Sequence, residues 1–200
     1  MNRFLLPVII AAFLFSACGG SKSSNQDTAQ APAADTAAQA PQEPGDRGYR
    51  VAVGDTAPVF TLDIEGGSTF SLAEQQGKIV MLQFTASWCG ICRREMPFIE
   101  KDIWQRFKSN PDFCLMAIDR EETPDKVAMM REKTGITYPI AYDTDGAVFR
   151  LYAYPDAGVT RNVLIDRNGV IRMLTRRFEQ QEFDSLCTEI ARLLEGEEGR

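Results

Sequence analysis

Apolar and polar positions change rhythm along this chain, and each change marks an element. Val59-Phe60-Thr61-Leu62-Asp63 alternates with period two, as a strand with one face in a core does. Gly66-Gly67 reads as a hairpin turn, and Thr69-Phe70-Ser71-Leu72 continues it. Ile79-Val80-Met81-Leu82-Gln83-Phe84 is a short, nearly continuous apolar run, which suits a central strand covered on both faces. From Arg93 to about Phe107 the rhythm becomes helical, with Phe98, Ile99, Ile103, Trp104 and Phe107 on one side, until Asn110-Pro111 breaks it.

Phe113-Cys114-Leu115-Met116-Ala117-Ile118-Asp119 predicts a second buried strand. Pro124 to Lys133 predicts a helix entered through Thr123 as N-cap and closed by Gly135. The apolar pieces Tyr138-Pro139-Ile140 and Phe149-Arg150-Leu151-Tyr152 lead to a strand at Asn162-Val163-Leu164-Ile165-Asp166. An Asn168-Gly169 turn joins it to Val170-Ile171-Arg172-Met173-Leu174, a strong hairpin signal. A last helix, about Gln181 to Leu194, gathers Phe183, Leu186, Cys187, Ile190 and Leu193-Leu194 on one side. The order βαβα, then hairpin, then helix predicts one α/β domain with a central mixed sheet and an N-terminal hairpin extension.

Between the first central strand and its helix stand Trp88-Cys89-Gly90-Ile91-Cys92. Cysteines three apart share one face of the first helical turn, within bridging reach. A helix start offers unpaired N–H groups and positive potential, and both favour a thiolate. Here the pair reads as a dithiol/disulfide switch. A purely structural staple across so short a loop would restrict the unfolded chain little. A zinc site needs further ligands, and the sequence has neither a second such pair nor any histidine.

That lack of histidine also removes Ser-His-Asp and Cys-His catalysis. The net charge of −6 is modest, and without a basic stripe nucleic-acid binding has no support. Cys114 and Cys187 sit in apolar settings and read as core.

The N-terminus changes the picture of location. Arg3 and the apolar Phe4 to Phe15 have the build of an export signal too short to span a bilayer comfortably. Leu14-Phe15-Ser16-Ala17-Cys18-Gly19 resembles a bacterial lipobox, with Phe15 where Leu is usual. The expected organisation is a lipoprotein signal peptide over 1–17, a lipid-anchored tether over 18–48 beginning at Cys18, and a folded domain over 49–200. The alternative is ordinary cleavage after Ala17, which leaves Cys18 a free thiol. From Gly19 to Gly48 there is no aromatic residue and no Val, Ile, Leu or Met, so that stretch cannot offset its ordering entropy by burial. As a coil it spans roughly 30 Å.

Phe84-Thr85-Ala86-Ser87-Trp88-Cys89-Gly90-Ile91-Cys92, Glu95-Met96-Pro97 and Leu164-Ile165-Asp166-Arg167-Asn168-Gly169, in this order of elements, resemble the thioredoxin fold. Within it they resemble the membrane-anchored TlpA/ResA-type thiol-disulfide oxidoreductases, over about Val53 to Leu194. Two positions depart from the pattern. Gln83 stands where thioredoxin has a buried Asp, and Val159-Thr160-Arg161 stands where the family has a cis-proline loop. Thr160-Arg161 is similar instead to peroxiredoxins, although Leu82 and Ala86 replace the Pro and Thr of the peroxiredoxin active loop.

The resemblance implies a thioredoxin-like fold and a protein disulfide reductase of the cell envelope, with no cofactor and no metal. Cys89 is the expected attacking thiolate and Cys92 the resolving one. Glu95 is the candidate to manage the proton of Cys92, because Gln83 cannot act as a base. Trp88, Thr160 and Arg161 are the candidate substrate-binding residues, and Arg161 could also lower the pKa of Cys89. The implied partners are disulfide-containing client proteins, a membrane thiol-disulfide carrier as electron donor, and the membrane itself through Cys18. The expected location is lipid-anchored and facing the periplasm. A thiol peroxidase is the second reading, and a metal carrier of the same fold the third.

Overall fold

The computed structural model describes residues 47–196. The expected signal segment, Cys18 and nearly all of the expected tether lie outside the described residues. Strands β1 (Thr61–Asp63) and β2 (Thr69–Ser71) form an antiparallel hairpin. The main sheet contains β3 (Ile79–Thr85), β4 (Phe113–Arg120), β5 (Ile140–Asp143), β6 (Arg161–Ile165) and β7 (Ile171–Arg176), in the order β5-β4-β3-β6-β7. β3, β4 and β5 run parallel, while β6 and β7 join antiparallel. This is the mixed sheet with helices and an N-terminal hairpin that the apolar pattern predicts.

Strand β3 is buried at every position, and its alternation divides the core. Val80, Leu82 and Phe84 point to one face, where they meet Val163, Phe149, Tyr152 and the hairpin's Phe60 and Phe70. Ile79 and Met81 point to the other, under Met96, Ile99 and Ile103 and under Phe183, Leu186 and Ile190 of the last helix. Phe149 is fully buried, with its ring edge-on to Phe84 at 5.7 Å and the Arg120 guanidinium 4.2 Å from its centre. Phe149→Ala is therefore expected to cost about 4 kcal/mol, read as a lowered urea midpoint with an unchanged slope.

The long helix departs from one expectation. It is α1 (Gly90–Phe98), then a π-helical stretch Ile99–Trp104, then a last turn α2 (Gln105–Phe107). Pro97 inside α1 has no N–H to give to the carbonyl of Arg93, and the wider turn follows directly after it. The helix also begins earlier than Arg93, because Cys89 caps it.

Helix α3 (Pro124–Thr134) starts after Thr123 and ends on Gly135 in the left-handed conformation, φ 70°. Two elements were indistinct in the sequence. β5 is a four-residue edge strand directly after Pro139, too short for an alternation to stand out. Phe149–Tyr152 belongs to helix α4 (Ala147–Tyr152), whose start is capped at a distance: Asp143 accepts from the N–H groups of Val148 and Phe149, at 3.0 and 2.7 Å. Helix α5 (Gln180–Leu194) closes the domain, with Phe183, Leu186, Ile190 and Leu193 buried.

Candidate active site

β3 delivers the chain to the sheet's C-terminal edge, and the next turn carries the cysteines. Cys89 is the extended N-cap of α1, and its Sγ accepts from the Cys92 N–H at 3.2 Å. The two sulfurs form a disulfide, with Cα atoms 5.3 Å apart. Cys89 keeps 8% exposure and Cys92 none, so Cys89 is the more accessible sulfur. The helix N-terminus and this N–H both stabilise negative charge on that atom.

Thr160 faces the pair. Its Oγ1 lies 3.1 Å from Cys89 Sγ and 3.2 Å from Cys92 Sγ, within hydrogen-bond reach of both. Every peptide bond among the described residues is trans. The Thr160 carbonyl accepts from the Arg177 N–H at 3.2 Å, which ties this loop to the end of β7. Trp88 stands beside the pair with 65% of its surface exposed, so its role cannot be core packing. A groove of about 400 Å³ opens next to it, lined by Ser87, Arg93, Lys126 and the exposed Met129.

Under the first turn lies a buried polar row. Gln83 of β3 pairs across the sheet with Asn162 of β6, and Asn162 with Thr175 of β7. Glu95 of α1 sits on this row with 1% exposure. Its Oε1 accepts from Asn162 Nδ2 at 2.7 Å and its Oε2 from Gln83 Nε2 at 3.5 Å. Asn162 Nδ2 also donates to Thr175 Oγ1 at 2.9 Å, and the Tyr138 hydroxyl donates to Gln83 Oε1 at 2.8 Å. Burial pushes the Glu95 carboxyl up to about 7, against the two amide donors that favour its ionised form. Glu95 thus exchanges its proton in the neutral range, one helical turn beyond Cys92. Gln83 is no base, but its amide reaches the Glu95 carboxylate and helps to orient it.

Arg161 is fully buried on the same strand as Thr160's loop. Its guanidinium lies 4.3 Å from the centre of the Tyr49 ring. It donates to the carbonyls of Gly158 and Arg47, at 3.0 and 2.8 Å. These partners hold the Val159–Arg161 turn, and the sulfurs are not among them.

Sequence reasoning missed a second carboxylate device. Glu122, from the connection after β4, accepts both from the N–H of Ser87 and from its Oγ, the latter at 2.7 Å. Ser87 is two residues before Cys89, so Glu122 clamps the approach to the helix. Asp119 lies behind it at 1% exposure, and neither of its oxygens has a partner at hydrogen-bond geometry among the described residues. Burial, and next the charge of Glu122, push Asp119 up to about 8. The signals were present as isolated polar residues in apolar strands: Gln83, Asn162 and Asp119.

Cys114 and Cys187 are free. Burial raises both thiols to about 11, which favours their protonated form at neutral pH.

The redoxin family matches residues 52–190. The chain belongs to the redoxin family. Among its relatives is the thiol-disulfide oxidoreductase ResA of Geobacillus kaustophilus, 34% identical over 124 residues, which cover 62% of this chain and 69% of that protein. This redoxin also resembles the solution structure of a candidate protein disulfide isomerase from Bacteroides thetaiotaomicron. The two are 52% identical with a TM-score of 0.72, covering 74% of this chain and 93% of the other. A candidate thiol:disulfide interchange protein DsbE from Chlorobium tepidum is 28% identical, with a TM-score of 0.64 over 72% of this chain and 99% of its own. The redoxin is thus an enzyme of the thiol-disulfide oxidoreductase class with a thioredoxin-like fold, and its cysteine pair stands at disulfide distance.

Proposed function

We propose that this redoxin reduces protein disulfides outside the cytoplasm, held to a membrane by lipid on Cys18 and standing off on the tether of residues 18–48. The observation that carries the reading is the Cys89–Cys92 bridge at the N-cap of α1, with one sulfur partly open and the other closed off.

In the reduced enzyme, Cys89 Sγ attacks one sulfur of a client disulfide. One Cys89–client bond forms, the client S–S bond breaks, and one client thiolate leaves. Cys92 then gives up its proton, with Glu95 as the acceptor of the neutral range, and attacks Cys89 Sγ. The Cys89–Cys92 bond forms and the second client thiolate leaves. Two electrons have moved to the client, and a membrane dithiol carrier, itself oxidised to a disulfide, supplies two more to reopen the bridge. Thr160, in reach of both sulfurs, donates to whichever is the thiolate. Trp88 and the groove beside it receive the client chain.

Cys92→Ser removes the resolving step, so clients should stay bound to Cys89. Expressed in an envelope-bearing cell, this variant is expected to yield mixed disulfides that dithiothreitol releases and that mass spectrometry maps to Cys89. Absence of adducts, together with rapid peroxide turnover by the wild-type protein, would replace this reading by that of a thiol peroxidase.

A further inference from the structure

On the far side of the Val159–Arg161 turn, four arginines converge. Arg47, Arg161, Arg176 and Arg177 line a cleft of about 310 Å³. Arg161 and Arg176 are directly opposite each other on β6 and β7, a like-charge cross-strand pair that is unfavourable by itself. Glu182 is the carboxylate that reaches the group, and it pairs with Arg47 at 2.8 Å. Among the described residues, the guanidiniums of Arg176 and Arg177 have no hydrogen bond or ion pair. Burial lowers the proton affinity of Arg161 and Arg176 most, and neighbouring arginines lower both further while Tyr49 raises them.

The backbone makes room for this crowding. A Cβ on Gly158 would meet Arg176 Nη2, and one on Gly48 would lie 2.8 Å from Arg161 Nη2. Two glycines therefore let guanidiniums approach the wall of the cleft. All this stands in a chain of net charge −6, so composition does not account for it.

We propose that this cleft binds a multiply charged oxyanion, carboxylate or phosphate, on the guanidinium forks of Arg176 and Arg177. A fork of N–H donors matches two oxygens of either group, and an anion there relieves the Arg161–Arg176 repulsion. The cleft adjoins the active site through one turn: Thr160 touches the sulfurs, and its carbonyl is held by the Arg177 N–H. Two sources supply this chemistry. One is a pair of acidic side chains beside a client's disulfide, which rests on the reductase reading. The other is a free inorganic anion.

The test uses the full chain, Arg176→Gln and Arg177→Gln, at matched ionic strength so that general screening is constant. Thermal midpoints are recorded with increasing inorganic phosphate. Disulfide exchange rates are recorded with two model peptides, one flanked by acidic residues and one by neutral residues. The wild-type midpoint should climb with phosphate, and the dissociation constant should weaken at least about tenfold in either variant. Without phosphate, Arg176→Gln should raise the midpoint, the opposite of what loss of a purely structural residue does. The wild type should prefer the acidic peptide about tenfold, and either variant should bring the ratio near one. Phosphate binding without peptide preference assigns the site to a free anion, and preference without phosphate binding assigns it to the client. If neither response exists in the wild type, the proposal is overturned. Loss of exchange with the neutral peptide would instead strike the reductase reading.

Discussion

Cys89→Ser is expected to lower the rate of insulin-disulfide reduction by on the order of 10³-fold or more, while leaving the fold and its thermal midpoint near those of the reduced wild type. The reason lies in the unequal burial of the sulfurs: Cys92 is fully enclosed and cannot replace Cys89 as the attacking atom. A Cys92→Ser protein should behave differently. It should complete the first exchange at close to the normal rate and then stop, giving a burst of one equivalent. Stopped-flow mixing of each variant with a chromogenic disulfide separates the two behaviours. Equal loss of the first step in both variants would mean that the order of attack has been assigned wrongly.

Glu95→Gln is expected to slow resolution of the mixed disulfide about 100-fold at pH 7, because the step then lacks a nearby proton acceptor. The wild-type rate should rise with pH through an inflection near 7, where Glu95 ionises, and the variant should lose that inflection. Stability gives an independent readout. The folded pKa is raised from 4.5 to about 7, so between those values the folded state holds a proton that the unfolded chain has released. Stability attributable to this group therefore falls as pH rises from 4.5 to 7, and the penalty is complete above about 7. Its size is on the order of 3 kcal/mol. Asp119 contributes a slope of the same sign up to about 8, so the wild-type minus Glu95→Gln difference is the quantity to measure. A flat difference between pH 5 and 8 would show that the buried carboxyl carries no such strain.

The chemistry-bearing part of this chain was legible in one dimension. The apolar run of β3, the cysteine spacing and the helical rhythm after it each act locally, and together they place the disulfide at a strand-to-helix junction. The short edge strand β5 and helix α4 were not legible, because one has too few residues for a period and the other starts on a cap supplied by Asp143 across a turn. The roles around the sulfurs depend on register. Gln83, Asn162 and Thr175 become one row only when β3, β6 and β7 align, and Glu95 gains its shifted proton affinity from that row. Arg161 is the same lesson from the other side. Its neighbour Thr160 touches both sulfurs, while alternation along β6 turns Arg161 away to Tyr49 and to the carbonyls that hold the turn.

The two lone thiols have a consequence for biogenesis. Cys114 packs with the cluster on one face of the sheet and Cys187 with the cluster on the other. Once the strands have assembled, a layer of backbone separates them and oxidation has one outcome. Before assembly, the four domain cysteines admit three complete pairings. A chain that met an oxidant while still extended has all three open to it, weighted by loop length, whereas a sheet formed ahead of the bond leaves one.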